Sequence, residues 1–170
     1  MPRLRQSRSG QAAVETALVL PLAVILLFGA FQIGRVFFLY NTLQKSLRGG
    51  IQYVLRSQGV NFCDPNDPVL IDAKNFIVFG NLQGTGTPVV TGLAPDMIQF
   101  LPERSDISSA TVADCACTGD GSCDITNSGA PPDYVTVNLG SGFPVSVTFP
   151  LVNLGTFNLR VSIRQPFLVG

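Results

Sequence analysis

Few residues in this sequence are suited to acid–base, nucleophilic or metal chemistry. The chain contains no histidine, so neither a Ser–His nor a Cys–His catalytic pair can be built. The most distinctive acid is Glu15, which stands five residues after Gly10 inside an otherwise apolar run. An unpaired carboxylate at membrane depth costs about 2.5–3.5 kcal/mol at the centre of a helix. We therefore expect Glu15 to have a compensating partner.

Four cysteines follow the apolar run, at Cys63, Cys115, Cys117 and Cys123. An even number in an oxidising compartment is typical of two disulfides. Because a Cys115–Cys117 bond would close a strained ring, we expect Cys63 to pair with Cys115 or Cys117, and the remaining cysteine to pair with Cys123. The alternative is a zinc site, which lacks the usual paired C-x2-C spacing here, and we predict no metal.

No other motif selects an active site. Asp114, Asp120 and Asp124 are acids of the type that binds calcium, but they match no EF-hand spacing and are typical of solvated turns. The glycines of 84–88 do not form a phosphate loop, because no Gly-Lys-Ser/Thr follows them. We predict a non-catalytic protein without a cofactor, and an extracytoplasmic enzyme is the least supported alternative.

The apolar run itself predicts a membrane helix. Residues 16–34 form an uncharged 19-residue stretch, which as a helix spans about 29 Å, close to the hydrocarbon thickness of a bilayer. Residues 1–10 hold three arginines and no acid, so the positive-inside rule places the N-terminus in the cytoplasm. A secretory signal peptide would have a shorter apolar core, and a plain signal anchor gives Glu15 no role.

Beyond Gly34 the apolar pattern narrows to a stripe. Apolar residues recur there at spacings of three or four, at Val36, Leu39, Leu43, Leu47, Ile51 and Val54. This periodicity predicts an amphipathic helix. We expect one helix over 11–56, with a membrane part at about 16–34 and an amphipathic part at about 35–56. Gly49-Gly50 should weaken it, since each glycine costs about 1 kcal/mol relative to alanine.

A family pattern runs along this helix. The sequence reads Gly10-Gln-Ala-Ala-Val-Glu15-Thr-Ala-Leu-Val-Leu-Pro21, then Phe28-Gly29, Gly34-Arg35, Asn41-Thr-Leu-Gln44, Arg48-Gly49-Gly50 and Tyr53. It resembles the TadE-like family, whose members are minor pilins or pseudopilins of the tight-adherence (Flp, type IVc) pilus. The resemblance is dense over about 9–54 and thin afterwards. Gly49 stands where the family has a glutamate.

The resemblance implies how the protein is processed, where it resides and how it assembles. Residues 1–10 would be a basic class III leader, cut by a prepilin peptidase between Gly10 and Gln11. Glu15 would then pair with the new amino terminus of Gln11 on an adjacent subunit and set the register of a filament. The protein would reside in the bacterial inner membrane as a single-pass protein and reach the pilus or cell surface after assembly, acting in adhesion or secretion. Its partners would be the membrane, the peptidase, other pilin subunits and the assembly platform.

A second function class stays open. The chain could be a membrane-anchored extracytoplasmic binding or adhesin domain that never polymerises, in which case Gly10 would remain uncut. Residues 57–170 hold four basic and ten acidic residues, which argues against nucleic acid as a partner. They are enough for one modest domain.

This domain, 57–170, should be α+β. We predict a helix at 68–79, capped by Asp67 and ended by Gly80, and strands at 97–101 and 109–115. The segments 134–139, 145–149 and 157–163 alternate strongly and predict three strands of an antiparallel meander. The expected fold is pilin-like, with a long N-terminal membrane-spanning helix packed on a small, disulfide-stabilised antiparallel sheet.

Overall fold

The computed structural model describes residues 9–106, 111–119, 122–148 and 153–167. Two helices precede the strands: α1 is Ser9–Arg56 and α2 is Pro68–Phe79. The strands are β1 Gln99–Asp106, β2 Thr111–Asp114, β3 Tyr134–Asn138, β4 Phe143–Thr148, β5 Asn153–Leu159 and β6 Ser162–Pro166. Short 3-10 turns occupy Pro95–Met97 and Ile125–Asn127.

Helix α1 confirms the predicted continuous helix and its apolar stripe. Pro21 lies inside it without ending it. From Leu43 onward the stripe residues are fully buried, at Leu43, Leu47, Ile51 and Val54, whereas Val36 and Leu39 are half-buried. Burying a side chain of this size contributes about 1.5–3 kcal/mol, so this half of α1 forms the centre of the hydrophobic core.

Helix α2 begins and ends where the sequence predicts. The Asp67 carboxylate accepts hydrogen bonds from the backbone N–H groups of Val69 and Leu70, and Pro68 occupies the first turn. At the other end Gly80 adopts a left-handed conformation, with φ of 73°, and its N–H donates to Phe76. Such caps satisfy the backbone groups that a helix leaves unpaired at its ends.

The strands form two sheets, which corrects the predicted meander. Sheet A has the order β2-β1-β3-β6 with antiparallel neighbours, and β4 pairs with β5 in a separate hairpin. The segment 134–139 therefore does not pair with 145–149, as we expected from their closeness in sequence. Instead, β3 lies between β1 and β6, with Val137 opposite both Phe100 and Ile163.

The predicted strand 157–163 is also wrong as a single element. The chain leaves one sheet at Leu159 and enters the other at Ser162. At the crossing, Leu139 N–H donates to the carbonyl of Val161. Alternation continues across this point, with Phe157, Leu159, Val161 and Ile163 all apolar, so periodicity gives no sign of the change of sheet.

Strand β1 starts and ends later than predicted. The Pro95–Met97 turn takes the start of the expected segment 97–101, and β1 continues through Pro102 to Asp106. The carbonyl of Pro102 accepts a hydrogen bond from Cys115 N–H, beyond the end of β2. Proline is tolerated here because its missing N–H faces the side on which β2 has ended. Strand β2 falls within the predicted 109–115.

The fold class is α+β with one long apolar N-terminal helix, as predicted. One face of sheet A buries Val135, Val137 and Ile163 toward α1. Helix α2 also packs on α1, and its Ala73 and Ile77 are part of the hydrophobic core. The sequence did not reveal this packing. Two disulfides complete the domain.

Candidate assembly surface on the long helix

The first half of α1 exposes its apolar side chains on every face. From Val14 to Phe38 the large exposed ones range from 40% exposed at Val24 to 74% at Leu18 and Phe38. Patches of more than a few hundred Å² on a folded protein mark interaction or membrane surfaces. Among the described residues, α1 is the one helix that is long enough and apolar enough to cross a membrane. This arrangement supports single-pass membrane anchoring.

The predicted residues at the start of α1 lie on neighbouring turns. Gly10 and Gln11 are already helical, and the Gln11 side-chain amide donates to Glu15 Oε1 at 3.3 Å. The spacing of four residues places both side chains on one exposed face. A Cβ added at Gly10 would meet no atom of the described residues within 4 Å, so these residues leave the predicted cleavage position uncovered.

Glu15 carries the charge of this half of the helix alone. Within residues 9–34 the sequence contains no lysine or arginine, and the partner of Glu15 along α1 is the neutral amide of Gln11. Thr16 directs its hydroxyl to its own helix, donating to the carbonyl of Ala12 at 2.9 Å. The side chains of residues 9–34 therefore supply no cation that could neutralise Glu15 at membrane depth.

The four cysteines form two bridges. Cys63 is bonded to Cys117 and Cys115 to Cys123, which is one of the two pairings that the sequence left open. The first closes a separation of 54 residues and the second one of 8. By chain entropy they constrain the unfolded state by about 4 and about 2.5 kcal/mol. The Cys63 bridge ties the segment after α1 to the loop after β2.

The aspartates considered for calcium do not come together as a site in the described residues. Asp114 lies exposed on β2, and Asp120 lies outside the described residues. Asp124 is 9% exposed and is used internally. Its Oδ1 accepts from Thr126 Oγ1 at 2.6 Å and from Asn61 Nδ2 at 3.0 Å. Across the described part of the chain, no group of three His, Cys, Asp or Glu side chains could hold a metal.

These bonds form a polar clamp, made of Asn61, Asp67, Asp124, Thr126 and Asn127, that sequence reasoning missed. Asn127 Nδ2 donates to Asp124 Oδ2 at 2.5 Å, and Asn61 N–H donates to Asp67 Oδ2 at 2.9 Å. Hydrogen bonds from Thr126 and Asn127 lower the pKa of Asp124 from its usual 3.8 to about 2. The clamp holds the turn after α1 against the disulfide loop. The one signal for it in the sequence was Asp124 two residues before Thr126, the spacing of an Asx turn.

A charged pair on the open face of sheet A was also missed. Glu103 is 6% exposed, and its Oε2 lies 2.6 Å from Arg164 Nε on β6. Thr136 on the intervening strand donates to Glu103 Oε1 at 3.0 Å. The hydrogen bond to Glu103 raises the pKa of Arg164. The pair links three strands, and it belongs to the structure of the sheet.

In the comparison with known proteins, a family model matches the long helix, and the rest of the chain has no match. The family model described as TadE-like protein matches residues 10–51, which confirms the resemblance based on Gly10, Glu15 and the residues that follow. No curated protein and no solved structure matches the chain. The match covers most of α1, including both the exposed first half and the start of the packed second half. It indicates a pilus-associated, pilin-like protein.

Proposed function

We propose that this chain is a TadE-like minor pilin or pseudopilin of a tight-adherence type IV pilus. A prepilin peptidase would cut after Gly10, and the mature subunit would wait in the inner membrane with residues 57–170 on the extracytoplasmic side. The observation that carries the proposal is the TadE-like match over 10–51, on a helix whose first half is apolar on every face and carries a single acid.

The physical mechanism has two stages. In the membrane, lipid surrounds the exposed apolar residues of 16–34. On extraction, the same segments of neighbouring subunits pack together, so that burial among helices replaces contact with lipid. Glu15 would then lie beside the amino terminus of Gln11 on an adjacent subunit. Removing one partner of a buried ion pair costs about 3–5 kcal/mol, so subunits that join out of register are disfavoured.

Processing is tested by the N-terminal residue of the protein purified from native membranes, measured by intact mass. We expect a chain that begins at Gln11. A chain that still begins at Met1 or Pro2 would favour the static membrane-anchored binding domain, and a start near Phe31 would indicate a secreted domain and contradict the proposal.

Assembly is tested by Glu15→Ala, with Thr16→Val as the matched control on the next residue. We expect Glu15→Ala to be cleaved normally but to enter filaments about 100-fold less or worse, because it leaves a buried amine unpaired. Thr16→Val keeps the charge and shape, so it should be incorporated like the wild type. Subunit content of sheared pili, measured by immunoblot, distinguishes the two. Normal incorporation of Glu15→Ala would refute the role of Glu15.

A further inference from the structure

The β4–β5 hairpin has an apolar face whose burial decreases along the strands. At one end Phe143 and Val145 are 6% and 9% exposed. Further along, Val147 is half-buried, and Phe157, which pairs with Val145, is 43% exposed. In the described part of the chain, Phe143 and Val145 are therefore covered, whereas Val147 on β4 and Phe157 on β5, here called the open end, are more exposed.

An apolar groove of about 440 Å³ separates the open end from α1. Ile33, Phe37 and Tyr40 line it on the helix, and Val147 and Phe157 line it on the hairpin. Among the described residues, no charged side chain lines it. Its volume is within the range of about 300–1,000 Å³ found for sites that hold small molecules.

The open end is also the end nearest the membrane segment. An adjoining groove, lined on β4 by residues 143–146, extends along α1 as far as Thr42, whereas the groove that Val147 lines extends in the other direction to Gln32. Strand β4 thus runs toward the membrane part of the helix. Phe37 is three residues beyond Gly34, about 4.5 Å along the helix axis, so the groove lies at the level where a spanning helix leaves the hydrocarbon core.

We propose that the open end of the hairpin dips into the bilayer, and that acyl chains of the adjacent leaflet fill the groove. The proposal rests on the membrane anchoring of α1 given under the proposed function. It follows from continuity, because Phe31, Ile33, Phe37 and Phe38 are 67–74% exposed and lead from the membrane segment directly into the groove. Lipid that covers these side chains meets Phe157 next.

The other face of the hairpin agrees with an interfacial position. Ser146, Thr156 and Asn158 are exposed and polar, so the hairpin has one polar and one apolar face. Such amphipathic elements lie in the membrane interface with the apolar face toward the acyl chains. In the sequence, the residues that join the two strands are Phe149-Pro-Leu-Val152. The hairpin would hold the C-terminal region against the bilayer until the subunit is extracted.

The absence of tryptophan from the chain allows a direct test. Phe157→Trp is compared with Ile71→Trp on α2, a site of nearly equal exposure at 42%, and with Phe31→Trp inside the membrane segment. Each full-length variant is placed in nanodiscs of phosphatidylethanolamine and phosphatidylglycerol, one chain per disc. Tryptophan emission is measured with ordinary acyl chains and with brominated acyl chains, which quench on contact.

We expect brominated chains to quench Phe157→Trp nearly as strongly as Phe31→Trp, and to leave Ile71→Trp unchanged. Quenching of Phe31→Trp alone would overturn the hairpin proposal while leaving the anchoring intact. An unquenched Phe31→Trp would overturn the anchoring as well. Quenching of Phe157→Trp in one-chain discs that is lost in discs with two or more chains would support the proposal and show that a second copy can displace the lipid.

Discussion

The two halves of α1 are one unbroken helix with opposite surroundings. In the first half, up to Phe38, the large apolar side chains are mostly exposed on all faces, whereas in the second half, from Leu43 to Val54, they form a stripe that is buried under α2 and sheet A. Both halves are rich in apolar residues, but Glu15 is the only charged residue of 10–34, whereas 35–56 holds four basic residues. The angular distribution separates the halves further: a stripe needs one protein face to cover it, but a helix that is apolar all round needs an apolar medium or several neighbours.

Glycines in the two halves differ in the same way. A Cβ added at Gly34 would meet nothing within 4 Å, whereas one added at Gly50 would overlap the Ile77 side chain of α2. At Gly49 the nearest atom, on Phe76, is 2.9 Å away. Glycine in the packed half therefore permits a close approach between two helices. At Gly10 and Gly34 the exposed half imposes no such requirement among the described residues.

The largest contrast is expected from matched leucines. Leu47 is fully buried and Leu27 is 70% exposed. We expect Leu47→Ala to destabilise the folded region by about 2–5 kcal/mol, because it removes buried methyl groups and leaves a cavity. Leu27→Ala should change its stability by no more than about 0.5 kcal/mol. Calorimetry of the full chain in nanodiscs measures both, and similar losses would show that the exposed half also packs on the protein.

The next contrast uses Gly50→Ala against Gly34→Ala. Alanine is the better helix former by about 1 kcal/mol, so propensity alone predicts that both variants gain stability. We expect Gly50→Ala instead to lower the unfolding temperature, since overpacking costs about 1–3 kcal/mol. Gly34→Ala should leave it unchanged or raise it.

A double-mutant cycle identifies the cause. Combining Gly50→Ala with Ile77→Val removes part of the side chain that the new Cβ would meet, so the combined loss should be smaller than the sum of the two single losses. Strict additivity would mean that the Gly50 substitution acts through something other than its contact with α2.

Local chemistry made much of this fold predictable from the sequence. The stripe of α1, the caps at Asp67 and Gly80, and the apolar segment with Glu15 each depend on residues close together in the chain. From the sequence, Gly49-Gly50 was interpreted only as a cost to an isolated helix. The close approach that these glycines permit depends on α2, which follows much later in the chain. The existence of α2 was predicted, but its packing partner was not.

Long-range pairing was the part that sequence could not fix. Strand β3 has partners on both sides that are distant in sequence, and alternation specifies which face of a strand is buried without specifying its neighbours. The same limit applies to the cysteines: strain excluded Cys115–Cys117, yet the choice of Cys117 over Cys115 as the partner of Cys63 needed the course of the chain. The sequence predicted that Glu15 lies at the start of the apolar helix, and the structure added the hydrogen bond that it accepts from the Gln11 side chain.

The smallest effect is expected at the polar clamp, which joins the turn after α1 to the disulfide loop. It should appear as a dependence of the protein's stability on pH. The folded-state pKa of Asp124 is about 2, below its usual 3.8, so the folded state favours the carboxylate. The resulting stabilisation is present above pH 3.8 and is lost as the pH falls toward 2, because protonation then favours unfolding. We expect Asp124→Asn to lower the unfolding temperature at pH 6 and to flatten its fall between pH 4 and pH 2, with Asp96→Asn, an exposed aspartate in a 3-10 turn, as the control. The amide keeps the size and one acceptor oxygen, but it turns a donor toward Asn127, which is why the loss should be smaller than for Leu47→Ala.

Substitutions in the exposed half should not alter this dependence of stability on acid pH, since the clamp joins Asn61, just after α1, to the disulfide loop. An equal change from Leu27→Ala would show that the two halves of the helix are energetically coupled.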